Sequence, residues 1–205
     1  FPEAGLASVA RETLQIGRET EARAAQLTRP DLRVRGAVAV LLILGLATPF
    51  VLSGLLHPDA ADADAIDLVT GLEAGVNLLI LAAGGIWFLL SLEERLKRRS
   101  ALDALHELRS LAHVVDMHQL TKDPTTLTAG HVATDASPKR CYTRASLTRY
   151  LEYCAELQAL IAKLAALYAE GMRDSVVIEA VNDIESLCAS MGRKIWQKIT
   201  LIPAG

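Results

Sequence analysis

Two uncharged runs limit what this chain can fold into more than any other feature of it. Gly36–Leu56 is 21 residues long and Ala74–Leu92 is 19, and neither contains Asp, Glu, Lys or Arg. At about 1.5 Å of rise per residue, each is long enough as a helix to cross a hydrocarbon layer of about 30 Å. Core helices of a soluble protein rarely lack charge over such lengths, and a secretory signal has a shorter apolar part nearer the start of its chain. The sequence therefore predicts a two-helix transmembrane hairpin with spans at 36–56 and 74–92.

The flanks orient it. Arg29, Arg33 and Arg35 precede the first run, and Arg95, Lys97, Arg98 and Arg99 follow the second. The connecting segment 57–73 has no Lys or Arg and carries Asp59, Asp62, Asp64, Asp67 and Glu73. Basic flanks resist translocation, so both termini are expected in the cytoplasm and the acidic loop 57–73 outside. The expected location is multi-pass, in the inner membrane of a bacterium.

The spans hold few polar groups. Asn77 is the only strongly polar side chain in either, suited to an interhelical hydrogen bond or to a pore lining. Pro49 removes one backbone bond from the first span, and Thr48 stands beside it to help satisfy the carbonyl set free. Gly71 and Gly75 form a small-residue pair where helices could approach closely, and Gly84 and Gly85 offer a second such surface.

Beyond Glu93 the second membrane helix is expected to continue without a break as far as Asp123, which precedes a proline. Apolar residues recur along it at Ala101, Leu105, Leu108, Ala112 and Val115. A helix over about 143–171 repeats the pattern at Tyr150, Cys154, Leu157, Ile161, Leu164 and Tyr168, and one over about 174–200 repeats it at Val177, Val181, Ile184, Cys188, Met191 and Ile195. Alternating steps of four and three are the seams of an antiparallel helical bundle. The fold class predicted is all-α: a transmembrane hairpin and a three-helix cytoplasmic bundle, the first bundle helix continuous with the second span. The domains are 1–35, an N-terminal cytoplasmic helical segment with a thin stripe of Leu6, Val9, Ile16 and Leu27 that suits it to lie along the bundle or to pair with a neighbouring subunit; 36–92, the hairpin; and 93–205, the bundle, with a long loop over 124–142. The Gly171–Arg173 turn is expected at the membrane end and Trp196 at the far end.

No phosphate-binding loop, nucleophile elbow or zinc-protease motif is present. The cysteines, Cys141, Cys154 and Cys188, form no CxxC and read as small apolar residues of a reducing compartment. Arg109, His113 and Asp116 share one helix face and form the densest polar cluster, read as an ion-pair strip flanking the bundle. His106 and His118 are spaced too far from His113 along the helix to share a metal with it without help from another element. Residues 93–205 hold 15 Lys or Arg and 14 Asp or Glu, a balance unlike that of a nucleic-acid surface. No cofactor and no metal is expected. The expected partners are membrane lipids and either further copies of the chain or a membrane-complex protein, with no nucleic acid. Two functions fit: a non-catalytic membrane scaffold, adaptor or accessory subunit acting through the bundle, or a homo-oligomeric cation channel or transporter whose pore is formed by the two-helix hairpins and whose acidic loop gathers cations at its mouth.

Overall fold

The computed structural model describes residues 5–30, 32–56, 65–127 and 142–202. All the elements among them are helical: α1 (Gly5–Thr28), α2 (Leu32–Leu56), α3 (Ala65–Leu120), a 3₁₀ turn (Pro124–Leu127), α4 (Arg144–Gly171) and α5 (Ser175–Thr200). No strand occurs among the described residues, as an Ala- and Leu-rich chain with few aromatics leads one to expect. The chain divides into two units, Arg29–Lys97 and a second made of Phe1–Thr28 with Arg98–Gly205.

In the unit 29–97, charge set the expected span edges, but helix ends follow other rules. α2 begins before Gly36, and α3 begins at Ala65, so Asp67 and Glu73 belong to a helix rather than to a loop. Asp59, Asp62 and Asp64 lie outside the described residues, as does most of the loop 124–142. α2 runs through Pro49 without interruption. The Thr48 hydroxyl donates to the Leu44 carbonyl at 2.6 Å. That is not the carbonyl the proline sets free, which is that of Gly45 four residues back. Three contacts order the pair as antiparallel neighbours. A Cβ at Gly45 would stand 3.8 Å from that of Ala82, one at Gly85 would stand 3.7 Å from Leu41 Cδ1, and Lys97 Nζ donates to the Arg29 carbonyl at 2.8 Å. α3 contains the one stretch among the described residues that is long and apolar enough to cross a membrane, and none of that stretch is buried within the chain.

The other unit is a bundle of four helical segments, one more than the sequence suggested. The C-terminal part of α3 buries Ala101, Leu105, Leu108, Ala112 and Val115. α4 buries Tyr150, Cys154, Leu157, Ile161 and Tyr168, and α5 buries all six residues of its seam from Val177 to Ile195. Leu164 is half-buried. α1 completes the core with Leu6, Val9 and Ile16. Side-chain pairings give the directions. Gln158 of α4 bonds Ala112 of α3, and Lys122, beyond α3, lies over Tyr150, so these two helices are antiparallel. Arg98 bonds Asp174 and Lys198 bonds Gln119, so α3 and α5 are parallel. Thr20 meets Tyr168, and a Cβ at Gly171 would stand 3.0 Å from the Ala24 carbonyl oxygen, so α1 runs parallel to α4.

Two caps start the last two helices. Thr143 accepts from the Ser146 N–H, and Asp174 accepts from Val176 and Val177 N–H, satisfying donors that have no partner within a helix. Asp174 also receives Arg98 Nε at 2.8 Å, which ties the start of α5 to α3. Burial pushes the Asp174 carboxyl up, but the Arg98 hydrogen bond and the two cap bonds outweigh it and hold the group below the ordinary carboxylate range.

Candidate functional site

The bundle's most distinctive surface lies between α1 and α4. On this side α1 offers small residues, Ala7, Ala10 and Gly17, while α4 offers Tyr153, Leu157, Leu160, Leu164 and Leu167. Small side chains on one helix beside large ones on the other leave a depression rather than a filled seam. It takes the form of two hollows of about 530 and 610 Å³ that share Ala10, Leu157 and Leu160. Leu14 and Leu160, both at least half exposed, stand in it. Arg18, Glu21, Glu156 and Lys163 bring both signs of charge to its rim.

The polar residues around the end of α3 are spent on structure. Gln119 is buried at the end of α3. Its Nε2 donates to Asp116 Oδ1 at 2.7 Å, and it receives Lys198 Nζ on its Oε1 at 2.7 Å and on its carbonyl oxygen at 3.0 Å. Lys198 thereby adds a second donor to a carbonyl at the end of α3 that also accepts from the Lys122 N–H at 3.0 Å, where a cation is favoured by the helix dipole. Burial lowers the Lys198 pKa, against the pull of Asp123 and Asp116. Lys122 is only 2% exposed and lies 5.0 Å from the ring centres of both Tyr142 and Tyr150, a cation–π seat that replaces part of its lost hydration. The polar density around the end of α3 therefore ties α3 to α4 and α5. Burial pushes the Cys154 thiol up to about 12 and the Cys188 thiol up to about 11, so both remain protonated and serve as packing groups.

The residues singled out in the sequence fall as follows. Arg109 and His113 are exposed and Asp116 is half-buried; no hydrogen bond or ion pair joins the three among the described residues. His118 instead packs on the start of α1, where a Cβ at Gly5 would stand 2.6 Å from its ring. No group of three or more His, Cys, Asp or Glu able to hold a metal ion occurs among the described residues. Asn77 is exposed and makes no hydrogen bond among the described residues. A Cβ at Gly71, Gly75 or Gly84 would meet nothing within 4 Å, so the glycines at the contact between α2 and α3 are Gly45 of α2 and Gly85 of α3.

Sequence reasoning missed the groove and Gln158. The signal for the groove was the run of small residues on α1, which has meaning only opposite α4. Gln158 is buried beside the α4 seam; its Nε2 donates to the Ala112 carbonyl at 2.8 Å, and its Oε1 has no partner among the described residues. No protein-family model, no curated protein and no solved structure matches this chain.

Proposed function

We propose that this chain is a non-catalytic, multi-pass protein of a bacterial inner membrane, anchored by the hairpin 36–92, whose cytoplasmic bundle acts as a scaffold, adaptor or accessory subunit. The observation that carries this reading is the groove between α1 and α4. Gln119, Asp174 and Lys198 are engaged in holding helices together, while this surface stays apolar and open. From Leu6 to Glu21 the groove follows about 22 Å of helix, roughly four turns. Its occupant is an amphipathic helix of a partner protein, laid in with its apolar stripe down and charges of both signs along its flanks to meet Arg18, Glu21, Glu156 and Lys163.

Support for the anchor is the exposure of large apolar side chains on α2 and the first part of α3, among them Ile43, Leu44, Leu79, Ile80, Leu81 and Phe88, each more than half exposed. Such a surface in water would be a large unpaired apolar patch. The orientation rests on the basic flanks and the acidic segment between the runs. The channel reading gains no observation of its own, since Asp59, Asp62 and Asp64 are not among the described residues.

Two measurements test the proposal. A photo-crosslinking residue at Leu160, in cells, is expected to trap one defined protein, and Leu14→Glu is expected to abolish the adduct while leaving the protein folded. A steady cation current from the purified protein alone in a bilayer, reduced when Asp59, Asp62, Asp64 and Asp67 are changed to Asn, would replace this reading with the channel. For topology, a cysteine at Asp64 is expected to react with an impermeant reagent outside intact cells; reaction only after lysis inverts the orientation.

A further inference from the structure

α3 carries two seams in the segment proposed to lie in the membrane. Leu78, Ala82, Gly85 and Leu89 recur at steps of four and three, are half-buried, and include the contacts with α2. A second seam, Glu73, Asn77, Ile80, Gly84 and Trp87, repeats the same steps on the opposite side of the helix and is exposed throughout. Trp87 is 75% exposed and Ile80 63%. Asn77 and Gly84 lie one heptad apart on it, about 10 Å along the axis.

Two features of this second seam call for a neighbour. The Asn77 amide has two N–H donors and an acceptor oxygen, and none is bonded among the described residues. In hydrocarbon such a group costs several kcal/mol unless it is paired. Gly84 sits in the interior of a helix, where glycine is less favourable than alanine by about 1 kcal/mol. A Cβ there would meet nothing within 4 Å, so no close approach among the described residues accounts for it.

Resting on the membrane reading above, we propose that this seam is a self-association face, on which a second copy of the chain packs in parallel with Asn77 hydrogen-bonded to Asn77. The choice of a second copy follows from the chemistry of the amide. An Asn side chain both donates and accepts, so across a two-fold axis Nδ2 of each copy meets Oδ1 of the other. Copies inserted in one orientation also hold Asn77 at the same depth, so the pairing needs no search in register. Gly84 removes bulk from the centre of the seam and lets the two backbones approach beside it. Glu73 lies just outside the uncharged run, where water and salt screen the repulsion between two carboxylates.

The test uses the full chain in phosphatidylcholine vesicles, with Cys141→Ser and a dye attached at Ser186→Cys on an exposed position of α5. Flotation through a density gradient reports insertion, and energy transfer between donor- and acceptor-labelled copies reports association. Wild-type protein is expected to float and to show transfer above random crowding. Asn77→Leu is expected to float equally and to weaken association by about three- to thirty-fold. Gly84→Leu is expected to remove it, while Leu79→Ala, which lies on neither seam, leaves it unchanged. In undyed protein, Ile80→Cys is expected to form a disulfide-linked dimer on oxidation and Leu79→Cys is not. Protein that floats but shows no transfer above crowding, or for which Asn77→Leu equals wild type, overturns the self-association face and leaves the anchor standing, with a different membrane partner as the occupant. Protein that does not float overturns both.

Discussion

Gln158 offers the sharpest test of the bundle's energetics, because its replacement by an apolar residue is expected to stabilise the protein. The side chain is 1% exposed. Its Nε2 donates to the Ala112 carbonyl at 2.8 Å and lies 3.4 Å from Met191 Sδ, while Oε1 is buried with no partner among the described residues. Gln158→Met keeps length and shape. It gives up the hydrogen bond to Ala112 and the weak one to Met191 Sδ, a net loss of about 1 kcal/mol, and leaves the Ala112 carbonyl with its own helical donor from α3. It also removes an unpaired buried carbonyl, which costs about 1–3 kcal/mol to keep, and adds apolar contact with Met191. The balance is a gain of about 1 kcal/mol, or a rise in Tm of about 2–8 °C for a unit of this size. Unfolding in detergent micelles, followed by Trp196 fluorescence in a Trp87→Phe background, reads the bundle alone. A loss of about 1 kcal/mol or more in Gln158→Met would falsify the reasoning, since it would mean that Oε1 is paired.

Three further outcomes follow from the same packing. Gly171→Ala places a methyl 3.0 Å from the backbone oxygen of Ala24, which cannot move aside as a side chain can, so it is expected to destabilise by about 1–3 kcal/mol and to speed amide exchange across α1. Asp174→Asn keeps a capping side chain but loses the charge that Arg98 holds, a deficit of about 0.5–1 kcal/mol at about pH 6. Because the Asp174 pKa lies below its ordinary 3.8, the unfolded chain takes up the proton first. The stabilisation is therefore full above that value and is lost as pH falls through the folded pKa. The deficit of Asp174→Asn in urea titrations should accordingly shrink toward about pH 3, and a deficit that grows on acidification would contradict the assignment. Ile184→Asp buries an unpaired carboxylate and is expected to unfold the bundle, whereas His113→Ala, on an exposed position, should leave Tm within about 2 °C.

What could be read from the sequence followed the strength of the local signal. The seams of α4 and α5 were legible because Ile, Leu, Val, Cys and Tyr recur at helical spacing without a break. Their starts, expected near 143 and 174, fall at Thr143 and Asp174, whose side chains cap the two helices. The start of α3 was not legible, because the edge of an uncharged run marks where charged side chains begin, not where helical hydrogen bonding ends. Asp67 and Glu73 are compatible with helix, so nothing in the residues before Ala74 stops it. The membership of α1 in the bundle was obscured by Thr13 and Thr20, which occupy core positions and interrupt the apolar stripe. Thr13 can do so because its hydroxyl donates to the Val9 carbonyl at 2.8 Å, and Thr20 because it meets the Tyr168 hydroxyl at 3.5 Å. These solutions depend on a neighbouring turn or a distant helix, which a periodicity cannot register.

The same threonines bear on how the groove works. α4 and α5 fill their core positions mainly with large apolar side chains, each contributing about 1.5–3 kcal/mol on burial. α1 contributes Leu6, Val9 and Ile16, and at Thr13 and Thr20 it buries hydroxyls that gain much less. Its exposed tie, Arg23 to Glu107 at 3.2 Å, adds little in water. α1 is thus the helix held by the least apolar burial, and local opening of the bundle should begin there. The groove has α1 as one of its two walls, so it exists only while α1 is seated. A partner helix that spans both walls, touching Ala10 and Leu14 on one side and Leu160 on the other, binds the closed form alone and stabilises it in proportion to its occupancy. For the proposed partner helix, docking and the seating of α1 would be one coupled equilibrium, and substitutions that loosen α1 from the far side, such as Gly171→Ala, are expected to weaken that binding without touching the groove.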